Sequence, residues 1–473
     1  MSAEYLSIKK ILSQPIIDCD AEIKGWVRSV RKSKKFSFIV LNDGSCQATL
    51  QIIADATIDD YENISTMLAG TCVSIVGKLV ESGGKGQKVE MQASQVEIVG
   101  KVDASYPLQK KATSLEYLRE QAHLRPRSNL FGAIFRIRHH MSMATHRFFG
   151  DQEFYYLHSP ILTAVDAEGA GEMFNVTSLN LNNLPMKKDG KVDFAKDYFG
   201  KPANLCVTGQ LEAECFALGM GKVYTFGPTF RAENSNTPRH LSEFWMIEPE
   251  VAFMDLEGNA KLAADYIKYL INYTFEHCPD ELEALSNYHK FNAKQNGEEF
   301  VDHLTVLDKV RKSEFERITY TEAIKILAAA KHEFEFKPDW GVELQTEHER
   351  FLAEVHFKGP VTVTDYPKDF KAFYMKQNDD GKTVRAMDVL VPGVGEIIGG
   401  SQREEDFEKL SARIEEDGMS KNPLWWYLEL RKFGSAPHSG FGLGFERAIR
   451  YITGMKNIRD VIAFPRTPQN CDF

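Results

Sequence analysis

The run from residue 223 to 253, VYTFGPTFRAENSNTPRHLSEFWMIEPEVAF, constrains the fold of this chain more than any other stretch. It reads as two strands joined by a polar loop. Side chains alternate across a strand with period two, so the first strand is aromatic and apolar up to Phe230 and then presents Arg231 and Glu233 on one face. Turn-forming residues fill positions 234 to 238, followed by Arg239 and His240. The second strand puts Trp245, Ile247 and Val251 on one face and Phe244, Met246, Glu248 and Glu250 on the other. The first of these faces is core, and the second, with a ring beside carboxylates, is a site.

At 473 residues the chain exceeds what one hydrophobic core usually serves, so two or three domains are expected. A formal net charge of -10 argues against a general coat for nucleic acid but leaves room for a local basic patch. The seven cysteines (Cys19, Cys46, Cys72, Cys206, Cys215, Cys278 and Cys471) are scattered, odd in number and free of any C-x-x-C. Neither a disulfide framework nor a zinc site is indicated, and a reducing cytoplasm is the expected setting. No leader-type apolar segment stands at the start, and no run approaches the roughly 18 apolar residues of a membrane span. A soluble protein without a membrane partner is expected.

From about 16 to 101 the chain reads as five short alternating strands separated by Gly, Asp and Ser turns, which predicts a small closed barrel. Lys24, Arg28, Arg31, Lys32, Lys34 and Lys35 crowd its first strand and turn, with Trp26, Phe36 and Phe38 interleaved. Cations beside exposed rings suit single-stranded nucleic acid, the charges taking phosphates and the rings stacking bases. A solvated hairpin with Trp26 and Phe36 in the barrel core fits the same residues. The segment ESGGKGQK lacks the spacing of a phosphate loop and reads as a hairpin turn.

Mixed charge and two prolines mark 107–128 as a linker, and a helix with an apolar face follows from about 129 to 149, leading into a strand and Pro160. The Gly- and Ala-rich loop 163–174, which holds Glu168, reads as a lid. LCVTGQLEAECFAL is a strand entering a helix near Gly209, a junction whose amides favour an anionic group. Helices dominate 255–327, with an insertion read at about 258–315. Pro392-Gly393 folds two runs back on each other and brings Asp388 and Glu396 close, an arrangement that a bound Mg²⁺ would relieve. Finally, Gly440, Gly442 and Gly444 alternate with Phe441, Leu443 and Phe445, so one strand face is bare backbone, and Arg447 sits at the next helix start.

The string F-R-x-E, loop, R-H-L-x-E-F-W-M-I-E-P-E resembles motif 2 of the class II aminoacyl-tRNA synthetases, subclass IIb, and is worded most like the asparagine-specific members. F-R-x-E alone would suit an ordinary hairpin with an exposed ion pair. The helix, strand and Pro160 resemble motif 1, and the glycine strand with Arg447 resembles motif 3. The resemblance implies an α+β protein: an OB-fold barrel over 1–106, the linker, and an antiparallel-sheet catalytic domain flanked by helices over 129–473. It implies ATP and Mg²⁺, tRNA(Asn), L-asparagine, and a homodimer through the motif 1 region. For ATP it implies Arg231 on the α-phosphate, Arg447 on the γ-phosphate, Phe244 on adenine, Glu233 on the adenine side, and Arg239, His240, Gly442 and Gly444 around the nucleotide. Asp388 and Glu396 are implied for the metal, with Gly399 where some relatives have a hydroxyl, which leaves the metal count open. Glu168, Thr208, Gln210, Glu248 and Arg403 are implied for the amino acid, with Ala213 where aspartate-using relatives have a lysine. In the barrel, Phe38 and Gln51 are implied to read a base, with Arg28, Lys34 and Lys35 on phosphates. A relaxed aspartyl enzyme, a tRNA-free amide synthetase and a non-catalytic RNA-binding paralogue remain the alternatives.

Overall fold

A computed structural model describes residues 3–84, 86–108, 113–167, 173–235 and 237–473. Two compact units emerge: Met1–Arg136 with Asp280–Tyr288 and Phe473, and Ile137–Pro279 with His289–Asp472. The division falls inside the helix Asn129–Asp151. Within 107–128, the stretch read as a linker, Ser114 caps a short helix, Leu115–Glu120, through Tyr117 N at 3.2 Å.

In the first unit the strands are β1 (Glu4–Tyr5), β2 (Cys19–Lys32), β3 (Phe36–Asn42), β4 (Leu50–Asp55), β5 (Cys72–Glu81) and β6 (Val89–Gly100). They pair in the order β1-β2-β3-β4-β6-β5, and β5 returns to β2, so β2 to β6 close into the expected five-stranded barrel. Alternation fills it: Ala21, Ile23 and Val27, then Ile39 and Leu41, then Leu50, Ile52 and Ala54, and Val73, Ile75, Leu79 and Met91 are all buried. Gly77 is required where β5 and β6 cross, because a Cβ there would overlap the Gln92 carbonyl. The run 82–88 is the β5–β6 hairpin turn, closed by Ser82 N to Lys88 O at 3.0 Å.

The second unit is built on β7 (Tyr155–Leu157), β8 (Leu162–Thr163), β9 (Asn175–Val176), β10 (Ala203–Leu205), β11 (Lys222–Phe230), β12 (Glu243–Ala252), β13 (Glu316–Thr319), β14 (Val361–Pro367), β15 (Thr383–Val391), β16 (Gly395–Gln402) and β17 (His438–Gly444). Eight of them form one sheet, β13-β14-β15-β16-β17-β12-β11-β7, antiparallel except for the outermost pair at each edge. The helix Leu256–His277 starts at Asp255, whose side chain accepts from Gly258 N at 2.9 Å, and buries Ala263, Tyr266, Ile267 and Leu270. Tyr266 lies against Phe149 and Phe441, so this helix packs on the core of the sheet. The helices Pro279–Asn296 and His303–Lys312 complete the stretch read as an insertion. Phe441 and Leu443 face this core, leaving the glycine side of β17 for the site.

Candidate active site

Register brings the site residues together. Glu250 pairs with Gly440 and Met246 with Gly444 across β12–β17, and Gly442 pairs with Gly399 across β17–β16. Thr225 of β11 pairs with Glu248. A single sheet face therefore carries Phe244, Met246, Glu248 and Glu250 beside the bare glycines and Asp388. The glycines serve different ends. A Cβ at Gly440 would overlap the Glu250 carboxylate, one at Gly442 would come within 2.8 Å of the Met246 methyl, and one at Gly444 would make only ordinary contacts. The bare face is thus filled by protein at Gly440 and Gly442.

At one end Arg231 and Glu233 lie just past β11, 4.0 Å apart, and the Arg231 guanidinium stands 5.5 Å from the centre of the Phe244 ring. His240 reaches Glu233 at 3.7 Å, and Arg239 donates to Thr346 Oγ1 at 2.6 Å. Across the sheet, Arg447 donates to the Glu396 carbonyl at 3.3 Å and approaches its carboxylate at 3.5 Å. A Cβ at Gly399 would lie 3.3 Å from Glu396 Oε1 and 3.5 Å from Asp388 Oδ1, so both acids converge on a bare backbone position. Each acid is met by a cation. Lys371 binds Asp388 at 2.8 Å and lies over the Tyr366 ring at 4.0 Å; burial alone would lower its pKa, but Asp388 outweighs it and the pKa is raised.

Behind Glu396 stands Glu349, whose carboxylate accepts from Glu396 N at 3.0 Å. Burial first, then Glu396 and Asp388, push its carboxyl up to about 7. Two carboxylates facing a gap suit Mg²⁺, which keeps waters and takes phosphate oxygens. Among the described residues, no group of three or more His, Cys, Asp or Glu is arranged to hold a metal.

The other end of the face is closed by a buried polar network. Arg403 is 2% exposed and donates to both Glu250 oxygens, through Nε at 3.2 Å and through Nη2, while its Nη1 reaches Ser401 at 2.7 Å. Burial pushes the Glu250 carboxyl up to about 7, with Arg403 opposing and Glu214 adding. Glu214, on the helix Gln210–Met220, accepts from Tyr427 at 2.8 Å and Arg431 at 2.8 Å, and meets His438 Nε2 at 2.9 Å. Burial would raise Glu214, but Arg431, His438 and Arg403 outweigh it and hold it well below the usual carboxylate range. Glu248, read as an amino-acid contact, is anchored at the strand–helix junction: it accepts from Thr208, from Gly209 N at 3.0 Å and from Thr225 at 2.9 Å. On this face Arg403 is thus paired with Glu250 rather than with Glu248.

A family model described as tRNA synthetases class II (D, K and N) matches residues 114–468, and one for an OB-fold nucleic acid binding domain matches 21–99. The chain belongs to the class II tRNA synthetases. It is 54% identical over 471 residues to the asparagine--tRNA ligase of Cytophaga hutchinsonii, with 99% of both chains covered. Its identity to that of Porphyromonas gingivalis is 55% over 463 residues, covering 97% of this chain and 96% of the relative. The crystal structure of Pyrococcus horikoshii asparaginyl-tRNA synthetase complexed with asparaginyl-adenylate superposes with a TM-score of 0.84 at 31% identity, covering 100% of each chain.

In this synthetase Arg231, Glu233, His240 and Phe244 gather at one end, and Asp388, Glu396 and Arg447 at another. Thr208 and Gln210 flank the helix start, Gln210 donating to Glu214 at 3.1 Å. Ala213 is buried on the same helix against Val223, the strand partner of Glu250. Glu168 lies outside the described residues. The pattern missed Glu250 as the partner of Arg403, and also Glu214, Glu349 and Lys371. Glu250 alone carried a signal, since it shares a face with Glu248.

On the barrel, Trp26 is 40% exposed and neither Phe36 nor Phe38 is buried, which rules out a core role for Trp26 and Phe36. Phe36 and Phe38 meet edge-on at 4.9 Å, and the Arg31 guanidinium lies 4.7 Å from the Phe38 ring centre. Gln51 shares this outer face and donates to Glu90 at 3.1 Å. Lys34 and Lys35 are exposed, whereas Arg28 is tied to Asn42 at 3.1 Å and to the Arg127 carbonyl. Arg28 thus braces the barrel from within its own unit.

Proposed function

We propose that the chain joins L-asparagine to tRNA(Asn) in the cytoplasm, using ATP and Mg²⁺ in two steps. The asparagine carboxylate attacks the α-phosphate in line and pyrophosphate leaves; the tRNA 3′ end then takes the aminoacyl group and AMP leaves. No protein nucleophile is needed, so catalysis rests on positioning and charge stabilisation. Arg231 neutralises the α-phosphate while Phe244, beneath it, stacks adenine. Arg447, with Arg239 and His240, holds the terminal phosphates, Glu233 the adenine side, and Gly444 leaves room for the nucleotide to approach. Asp388 and Glu396 would hold Mg²⁺, which supplies charge neutralisation to the phosphate oxygens. Thr208 and Gln210 shape the amino-acid end, and Glu168 meets its ammonium group.

The observation that carries asparagine is the Arg403–Glu250 pair. It offers N–H groups beside carboxylate oxygens, the complement of a carboxamide, which has one acceptor and two donors; a carboxylate side chain has acceptors only. Arg403 keeps the donor role read from the sequence, and Glu250 takes the acceptor role read for Glu248. Phe38 and Gln51 read the anticodon, with Lys34 and Lys35 on its phosphates. A homodimer through the motif 1 region is supported by Tyr155 and Tyr156 on the edge strand β7 and Ile161 and Leu162 at the start of β8, which are 57, 44, 44 and 44% exposed. Charging of tRNA with asparagine against aspartate tests the whole reading: comparable rates with both amino acids overturn it in favour of a relaxed aspartyl enzyme.

A further inference from the structure

The helix Phe445–Thr453 that presents Arg447 carries Arg450 one turn further on. Arg450 is only 9% exposed, yet among the described residues its guanidinium has no hydrogen bond and no ion pair. Its guanidinium therefore faces open space rather than a protein partner and is available to an anionic ligand. Arg450 lines a cavity of about 420 Å³ together with Arg239, Lys456, Tyr451 and the hairpin turn at Pro392 and Gly393. That size is within the range of small-molecule sites. Among the described residues, no Asp or Glu lines it. Burial, then Arg239 and Arg447, push Arg450 down to about 10, which still leaves it charged at neutral pH. Tyr451 adds a buried hydroxyl with no hydrogen-bond partner. The lining thus offers three cations and the Tyr451 hydroxyl, beside the imidazole of His303, and of these cations Lys456 also lies 3.7 Å from Glu298.

Its position narrows the ligand. Arg239 and the turn between β15 and β16 belong both to this cavity and to the site described above, and the turn's strands carry Asp388 and Glu396. Three residues, about 4.5 Å of rise, separate Arg450 from Arg447 along the helix axis. We propose that the cavity is an anion site for pyrophosphate, receiving it beyond Arg447 once the bond to the α-phosphate has broken. This rests on the adenylation reading above. The step is a transfer of an intact anion between cation sets, with no bond made or broken in the cavity.

Arg450→Met in the full chain tests it, because it keeps the stem and removes the charge. Calorimetric titration with sodium pyrophosphate is done on protein saturated with an unreactive asparaginyl-adenylate analogue, so that the adenylate site is filled. Losing a hydrogen bond to a charged group should weaken pyrophosphate binding about tenfold or more, with a matching rise in the pyrophosphate KM of the exchange reaction, while Arg450→Lys restores part of the affinity. Single-turnover adenylate formation should be unchanged, and melting should stay the same or rise, since an unpaired buried charge is gone. Unchanged pyrophosphate affinity overturns the proposal. So does a raised tRNA KM with pyrophosphate affinity intact, which would assign the cavity to a tRNA phosphodiester, or a lowered melting temperature, which would give Arg450 a structural partner. Failure of wild-type protein to form adenylate would instead remove the adenylation reading itself.

Discussion

Glu250→Gln is the substitution that most directly probes amino-acid selection. In the wild type an aspartate side chain at the Arg403–Glu250 pair would bring a second carboxylate beside an ionised Glu250. At about 5 Å and an effective dielectric of about 20, that repulsion is about 3 kcal/mol, or some hundredfold in affinity. The protein can escape it by protonating Glu250, whose pKa is pushed up to about 7. Escape is free below that pH and costs about 1.4 kcal/mol for each pH unit above it. Discrimination against aspartate should therefore be weakest near pH 6, rise about tenfold per unit from pH 7 to 9, and level off once the repulsion itself is the smaller cost. Gln keeps an acceptor oxygen for Arg403 but cannot ionise, so the variant should discriminate poorly and show no such slope. Pyrophosphate exchange with each amino acid across pH 6 to 9 gives both curves. A wild-type ratio that stays flat over this range, or a variant that keeps wild-type selectivity, refutes the reasoning.

Arg231→Ala and Arg447→Ala should each lower adenylate formation about 10²- to 10³-fold at saturating ATP, as expected for loss of a preorganised charge; near-normal pyrophosphate exchange in either variant would remove that role. Phe38→Ala should cut tRNA charging by the roughly 1 to 3 kcal/mol of one stacked base and leave exchange intact, and an equal loss of both activities would count against base stacking. Glu349→Gln concerns stability: its folded pKa of about 7 lies above the ordinary 4.5, so the carboxyl's contribution is fully present below pH 4.5 and is lost as pH rises through 7. The variant, which keeps an acceptor for Glu396 N, should melt like the wild type near pH 4.5 and higher at pH 8, by at most about 3 kcal/mol; identical melting at both pH values would show that Glu349 is not buried against its neighbours.

How much of this was legible follows from what a local pattern encodes. Period-two alternation in 223–253 gave the faces of β11 and β12, and the turn at Pro392-Gly393 gave the approach of Asp388 to Glu396. Alternation says which residues share a face, not which of them meets a distant arginine. Glu248 and Glu250 were therefore equivalent by that test, and only the β12–β17 and β16–β17 registers bring Arg403 to Glu250. Glu349 and Lys371 come from separate segments whose approach to β15 and β16 no spacing announces. Trp26 could point into the barrel or out of it, because a bulge between Val27 and Ser29 resets the alternation of β2.

The Glu214 network also has a consequence for synthesis. Its carboxylate finds Tyr427, Arg431 and His438 at sequence separations of 213, 217 and 224. A ribosome extrudes the helix Gln210–Met220 long before any of these partners exists, so a nascent chain carries an acid that has no place in a dry interior until the last strands arrive. Closing so large a loop is slow, and the end of the sheet face that holds Glu214 forms late. A message cut short before codon 431 therefore yields a polypeptide whose OB-fold can mature while its catalytic half stays open around Glu214, a substrate for chaperones and proteases rather than a partly active enzyme.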